Sequence, residues 1–155
     1  MLSIESRTKF ALYGSGRHVT DFVWNKAKEC NGYIVLYNEN TLAIYDKSSE
    51  EEVLHIEDFE EIKFAESHLY IQSKGEWGVY EYSGKEVVPI KYDHINACIY
   101  SPTTLELMAV SVDVGYEDGG YYIVSTNTYY EADDINITKT NKIELLKKGE
   151  WTMLE

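Results

Sequence analysis

Residues 74–95 read Lys74-Gly75-Glu76-Trp77-Gly78-Val79-Tyr80-Glu81-Tyr82-Ser83-Gly84-Lys85-Glu86-Val87-Val88-Pro89-Ile90-Lys91-Tyr92-Asp93-His94-Ile95, and their pattern decides the fold. A first apolar run, 77–82, stops at Ser83-Gly84, a dipeptide suited to a turn. The second run alternates: Val88, Ile90 and Tyr92 fall on one side, and Pro89, Lys91 and Asp93 on the other. A two-residue period belongs to a half-buried strand. Pro89 has no N–H to give a ladder, so it marks an edge strand or a bulge. The unit is strand, turn, strand, bend.

Both ends of the unit recur. Its head, Lys74-Gly75-Glu76-Trp77, returns letter for letter as Lys148-Gly149-Glu150-Trp151. Its tail, an aromatic or apolar residue, then Asn, Asp or Glu, then any residue, then an apolar one, occurs four times. The copies start at Trp24, Phe59, Tyr92 and Ala132, at intervals of 35, 33 and 40 residues. Each has two apolar stretches before it and one after it. This periodicity predicts about four three-stranded antiparallel repeats of roughly 35 residues, with a half-unit at Trp151. The expected fold is all-β, one repeat domain over residues 1–155, arranged as a propeller-like ring or an open twisted array. A β-sandwich built of the same hairpins is the alternative.

Residues 74–95 resemble one unit of the bacterial WG-repeat proteins, through Trp77, Gly78, Gly84, Val87, Val88, Pro89, Tyr92 and Asp93. The resemblance implies a bacterial repeat scaffold for protein–protein contacts. Elsewhere the pattern departs from the family: Leu42-Ala43 and Tyr121-Tyr122 stand where Trp-Gly would be, and Thr152 follows Trp151. The motif also has a structural account. Trp77, and Trp151 in the second copy, offer a large apolar face, and Gly78 admits close backbone approach. Gly84 makes the turn, and Asp93 can bond its downstream backbone and set the bend.

Composition narrows the function classes. The 155 residues carry 27 acidic against 14 basic side chains, a formal charge of −13. Phosphate backbones and anionic lipid surfaces would be repelled, so neither nucleic acid nor membrane is an expected partner. No apolar run approaches the roughly 18 residues of a membrane helix, and the first residues do not read as a signal peptide. Cys30 and Cys98 form no paired motif, which suits a reducing cytoplasm. No catalytic motif appears: Gly14-Ser15-Gly16-Arg17 lacks the lysine and spacing of a phosphate loop and reads as a hairpin turn between Tyr13 and His18. His18, His55, His68 and His94 are scattered, without zinc spacing. Residues 113–120 hold oxygen ligands and glycines without the alternation of a calcium loop. No enzyme activity, metal or cofactor is expected.

The acidic stretch 50–61 is the functional lead. Glu50, Glu51, Glu52, Glu57, Asp58, Glu60 and Glu61 lie there, with His55 the only basic-type side chain. Like charges so dense cost stability through self-repulsion, a cost that a basic partner would relieve while speeding encounter. Asp113, Glu117, Asp118, Asp133 and Asp134 extend the negative surface if the repeats place them on the same side, and Tyr100, Tyr116 and Tyr121 are the candidate aromatic anchors. The 14 tyrosines suit both sheet and binding surface. These features point to a non-enzymatic acidic module that neutralises a basic protein, such as a toxin or nuclease domain, as immunity proteins do. A generic repeat scaffold is the second reading, and a propeller-type hydrolase or carbohydrate binder the third.

Overall fold

Four two-residue turns set the hairpin pattern. Ser15-Gly16, Asn31-Gly32, Lys74-Gly75 and Lys148-Gly149 all have positive φ at both positions, the I′ form whose twist matches that of paired strands. The second residue is glycine each time because it alone enters that region without steric cost. The repeated Lys-Gly head is therefore a hairpin turn, and Tyr13 pairs with His18 across Ser15-Gly16 as the sequence predicts.

A computed structural model describes residues 1–114 and 117–154, with the backbone alone at 117 and 118. Among these residues there are eighteen strands, no helix and five antiparallel sheets. The first sheet holds β1 (Ser3–Ser6), β2 (Phe10–Gly14) and β3 (Arg17–His18). The second holds β4 (Lys26–Cys30), β5 (Tyr33–Tyr37), β6 (Thr41–Asp46) and β7 (Glu52–Glu57). The third holds β8 (Glu61–Phe64), β9 (His68–Ser73), β10 (Glu76–Glu81) and β11 (Glu86–Tyr92). The fourth holds β12 (His94–Tyr100), β13 (Leu107–Val114), β14 (Glu117–Ile123) and β15 (Thr128–Glu131). The fifth holds β16 (Asp134–Ile137), β17 (Ile143–Lys147) and β18 (Glu150–Met153). Within each sheet, strands consecutive in sequence are neighbours.

The repeated tail falls at the joints between sheets. Trp24 precedes β4, Phe59 precedes β8, Tyr92 ends β11, and Ala132 precedes β16; all four are buried. Four joints separate five sheets of three, four, four, four and three strands, where the sequence reading expects four units of three. The extra strands are outer ones. β4, β8, β12 and β16 each begin a sheet, with burial patterns in which exposed positions outnumber or equal the covered ones. β4, β8 and β16 carry only two apolar residues each, too few to stand out in a search for apolar runs. β12, with Ile95, Ala97, Cys98, Ile99 and Tyr100, is by contrast a run the sequence reading does not count.

The acidic or amide residue after the joint has a common task. Its backbone N–H donates to a carbonyl near the end of its sheet's second strand in three cases: Glu60 to Gln72 at 2.7 Å, Asp93 to Asp113 at 3.0 Å, and Asp133 to Leu146 at 2.7 Å. Asn25 donates instead to the Asn38 side-chain oxygen just beyond β5, at 2.7 Å. In the third and fifth sheets the carboxylate then reaches a Lys-Gly turn. Glu60 Oε1 accepts the Gly75 N–H at 2.8 Å, and Asp133 Oδ2 accepts the Lys148 N–H at 3.1 Å. In these two sheets the carboxylate of the tail ties the Lys-Gly head that follows it.

The chain divides into two compact units, residues 1–75 with 79–86, and residues 76–78 with 87–155. In the first unit Leu2, Leu12, Trp24, Ile34, Leu36 and Ala43 form a buried cluster. Three consecutive residues are fully buried in β5 (Ile34, Val35, Leu36) and three in β6 (Leu42, Ala43, Ile44), so both faces of that sheet are covered there. In the second unit the core gathers Ala109, Ile123, Ala132, Ile143 and Leu145. Tyr92 is also buried there, with Tyr122 and Tyr129 at ring distances of 6.1 and 5.9 Å.

The residues singled out as structural occupy these places. Gly78 is packed so tightly that a β-carbon would stand 2.7 Å from the Val88 carbonyl oxygen. Gly84 (φ 92°) lies against β7: a β-carbon there would be 2.2 Å from the Val53 oxygen. Pro89 sits in β11, the outermost strand of its sheet, as its missing donor requires. Asp93 donates its backbone N–H to the Asp113 carbonyl at the bend. Trp77 in β10 is half-buried, whereas Trp151 is 49% exposed and does not serve as the packing residue its sequence suggests. The cause is position: β10 is flanked by β9 and β11, while β18 is the last strand of its sheet.

Candidate functional site

The acidic stretch 50–61 covers the end of the β6–β7 turn, all of β7, the joint at Phe59 and the first residue of β8. β7 is the outer strand of its sheet. Its pairing with β6 has a bulge beside Val53, between the Ile44–Leu54 and Tyr45–Glu52 pairs. On the exposed side His55 stands between two carboxylates, Nδ1 3.6 Å from Glu52 and Nε2 3.4 Å from Glu57. Tyr45 donates its hydroxyl to Glu52 at 3.1 Å. Burial first, and then that carboxylate, push the Tyr45 phenol up to about 12.

The seven carboxylates of the stretch separate into two sets. Glu50 is bonded inward, with Ser15 Oγ at 2.7 Å and the N-terminal ammonium at 3.0 Å, and these bonds hold its carboxyl below the usual carboxylate range. Glu52 and Glu57 flank His55, and Glu60 latches the Lys74-Gly75 turn. Glu51, Asp58 and Glu61 are exposed, and among the described residues no hydrogen bond or ion pair engages their carboxylates. These three are available to a partner without breaking an internal contact.

In the second unit Asp113 and Asp133 line one cleft of about 270 Å³, with Ser111, Gly119, Gly120 and Tyr121 among its other walls. Asp113 accepts the Asn96 amide at 3.0 Å, and Asp133 holds the Lys148 turn. Burial, then Asp134 and Asp133, raise the Tyr121 phenol. Asp134 is exposed and its Oδ1 accepts the following N–H, of Ile135, at 2.8 Å. Tyr116 and the side chains of Glu117 and Asp118 lie outside the described residues. Among those described, no group of three or more His, Cys, Asp or Glu side chains is placed to hold a metal ion.

A second cleft escaped the sequence reading. The β4–β5 turn, the β8–β9 turn and the end of β10, all in the first unit, enclose about 260 Å³. Asn31, Tyr33, His68, Glu81 and Tyr82 line it. His68 is 7% exposed, with Nδ1 2.8 Å from the Ser67 hydroxyl. Burial holds its imidazole below the ordinary histidine value, with Glu81 pulling the other way. Tyr82 donates to the Ala65 carbonyl at 2.6 Å, and burial with the neighbouring Cys30 raises its phenol. These residues sit far apart in the chain, and only the Asn31-Gly32 turn is a local signal for any of them.

Fold and sites together define an all-β protein of small antiparallel sheets with an acidic outer strand. No protein-family model matches the chain, and no curated protein is similar enough to count as a relative. Among solved structures it is similar to KlHsv2 with loop 6CD replaced by a Gly-Ser linker, at TM-score 0.41 and 6% identity over 91% of this chain and 53% of that one. Hsv2 of Kluyveromyces marxianus gives TM-score 0.39 and 12% identity over 92% and 50%. Hsv2p of Kluyveromyces lactis gives 0.38 and 10% over 94% and 53%. The chain spans about half the length of these structures. Among the described residues no helix is long and apolar enough to cross a membrane.

Proposed function

We propose that this chain is a non-enzymatic binding module that uses the acidic residues flanking the outer strand β7, before it and from the joint after it to the start of β8, to capture a basic protein. A toxin or nuclease domain neutralised in a bacterial cytoplasm is the partner that best suits it. The observation that carries this reading is the trio Glu51, Asp58 and Glu61, exposed carboxylates with no internal partner among the described residues, on a protein of net charge −13. Opposite charge brought against them gains Coulomb energy and sacrifices no intramolecular bond, and the long-range field steers encounter. The recurrent joints favour a second reading, a WG-repeat-like scaffold closing in propeller fashion, in which the acidity serves only solubility.

Recovery of bound proteins at low and physiological salt, with the wild-type chain and with the Glu51→Lys/Asp58→Lys/Glu61→Lys variant as bait, separates the two. Neutralisation requires one basic protein, held at low salt, weakened by physiological salt and lost from the variant. Partners held equally by both baits would leave the scaffold reading.

A further inference from the structure

The cleft around His68 has the charge and geometry of a receptor for a cation. Of the side chains that line it, Glu81 alone carries a formal charge, and no lysine or arginine is among them. One Glu81 oxygen accepts the Ser83 hydroxyl at 3.1 Å, which orients the carboxylate and leaves its other oxygen open. His68 is more than nine-tenths buried; Ser67 engages its Nδ1, while Nε2 has no hydrogen-bond partner among the described residues. Neutral imidazole accepts at Nε2 when Nδ1 carries the proton, and the Ser67 hydroxyl oxygen is in place to accept that proton's hydrogen bond. Tyr82, 3% exposed, has committed its hydroxyl to Ala65 and lines the cleft, and Tyr33 is a second aromatic residue in its wall. The walls are held ready: Asn31 donates its amide to the Glu66 carbonyl at 2.8 Å, tying the β4–β5 turn to the β8–β9 turn.

We propose that this cleft binds a guanidinium or alkylammonium group, with Glu81 as counter-ion, His68 Nε2 as a second acceptor, and the Tyr33 and Tyr82 rings as apolar and cation–π walls. Guanidinium is the better match, because its planar fork both pairs with a carboxylate and stacks on aromatic faces. An anion would meet Glu81 with no compensating cation. A neutral sugar of similar size would gain nothing from the charge. The group has two possible sources, a free small cation or an arginine side chain on another protein. The inference rests on the first unit's cleft and not on the acidic strand, so either can fail alone.

The test follows the His68 ring resonances of the full chain by NMR while agmatine, the peptide acetyl-Gly-Arg-Gly-amide and glucose are added separately. Agmatine is expected to shift them saturably, to weaken about tenfold or more in Glu81→Gln, and to weaken again in Tyr33→Leu, while glucose leaves them unmoved. Equal binding of the peptide assigns the site to a chain-borne arginine; binding of agmatine alone assigns it to a free cation. If Glu81→Gln does not fold, Tyr33→Leu and the wild-type comparison of agmatine with glucose still decide. No saturable shift with either cation, unchanged affinity in a folded Glu81→Gln, or glucose binding as well as agmatine would overturn the proposal.

Discussion

Tyr92 shows how a single atom departs from the chemistry around it. The ring ends β11 in a buried aromatic group with Tyr122 and Tyr129, yet its hydroxyl is buried with no hydrogen-bond partner. Burial first, then the two neighbouring phenols, push its pKa up to about 12. A buried hydroxyl without a partner has lost its water and gained nothing in return. Tyr92→Phe should therefore raise stability by about 1 kcal/mol, read as a higher urea midpoint with unchanged slope; a lower midpoint would mean that the hydroxyl is hydrogen-bonded. His68 gives a residue-scale prediction in pH. Its folded-state pKa lies below the unfolded value near 6.5, so above that value the neutral ring costs nothing. As pH falls below it, the unfolded chain takes up a proton that the native ring resists, and the fold is destabilised. Relative to His68→Gln, the wild-type melting temperature should fall progressively on acidification from about pH 7.5 to about pH 5. A constant difference over that range would remove His68 from the acid response.

Among elements, the joints matter more than the strands. An apolar residue anchors each joint in a core, and the polar residue after it bonds the following sheet; in two sheets its carboxylate also latches a Lys-Gly turn. Replacing Glu60 or Asp133 by Ala removes a charge-assisted bond to a turn amide at an exposed site. Each should cost about 0.5–1 kcal/mol, with faster amide exchange confined to Gly75 in the first case and Lys148 in the second. Exchange spread evenly along the chain would deny the latch its local character. Most of this was legible in the sequence. The alternation from Val88 to Tyr92, the edge position of Pro89, and the recurrence of head and tail all describe real features. The number of sheets was not legible, because what recurs is the joint, and three of the strands that open the later sheets, β4, β8 and β16, carry too few apolar residues to register. Nor was the His68 cleft, whose walls come from residues 31–33, 67–68 and 81–83 and meet only through tertiary pairing. The role of Trp151 was misread for a related reason: the tetrapeptide matches Lys74-Gly75-Glu76-Trp77, but no further strand follows β18 in its sheet to cover the ring.

At the scale of the molecule, charge sets the balance between stability and binding. A protein with net charge −13 repels itself in the compact state, and salt weakens that repulsion over a Debye length of about 8 Å at physiological strength. Acidic side chains that latch turns or hold the N-terminal ammonium offset their share of the repulsion. Among the described residues Glu51, Asp58 and Glu61 have no such internal partner, so in the free protein they add to the repulsion without an internal bond to offset it. Changing these three to Gln should stabilise the isolated chain by a few tenths to about 1 kcal/mol at low ionic strength, and the gain should shrink as salt is added. Changing Glu50, Glu52 and Glu60 to Gln removes the same formal charge but loosens bonds to the N-terminus, Ser15, Tyr45 and the Gly75 turn. That variant should gain nothing or lose stability. Urea unfolding of both triple variants at two salt concentrations reads the contrast directly. Opposite signs at low salt would show that the trio is held at a cost to the fold, as expected of a surface kept for a basic partner. Equal stabilisation by both variants would mean that only total charge counts, and the acidic strand would lose its claim as a binding surface.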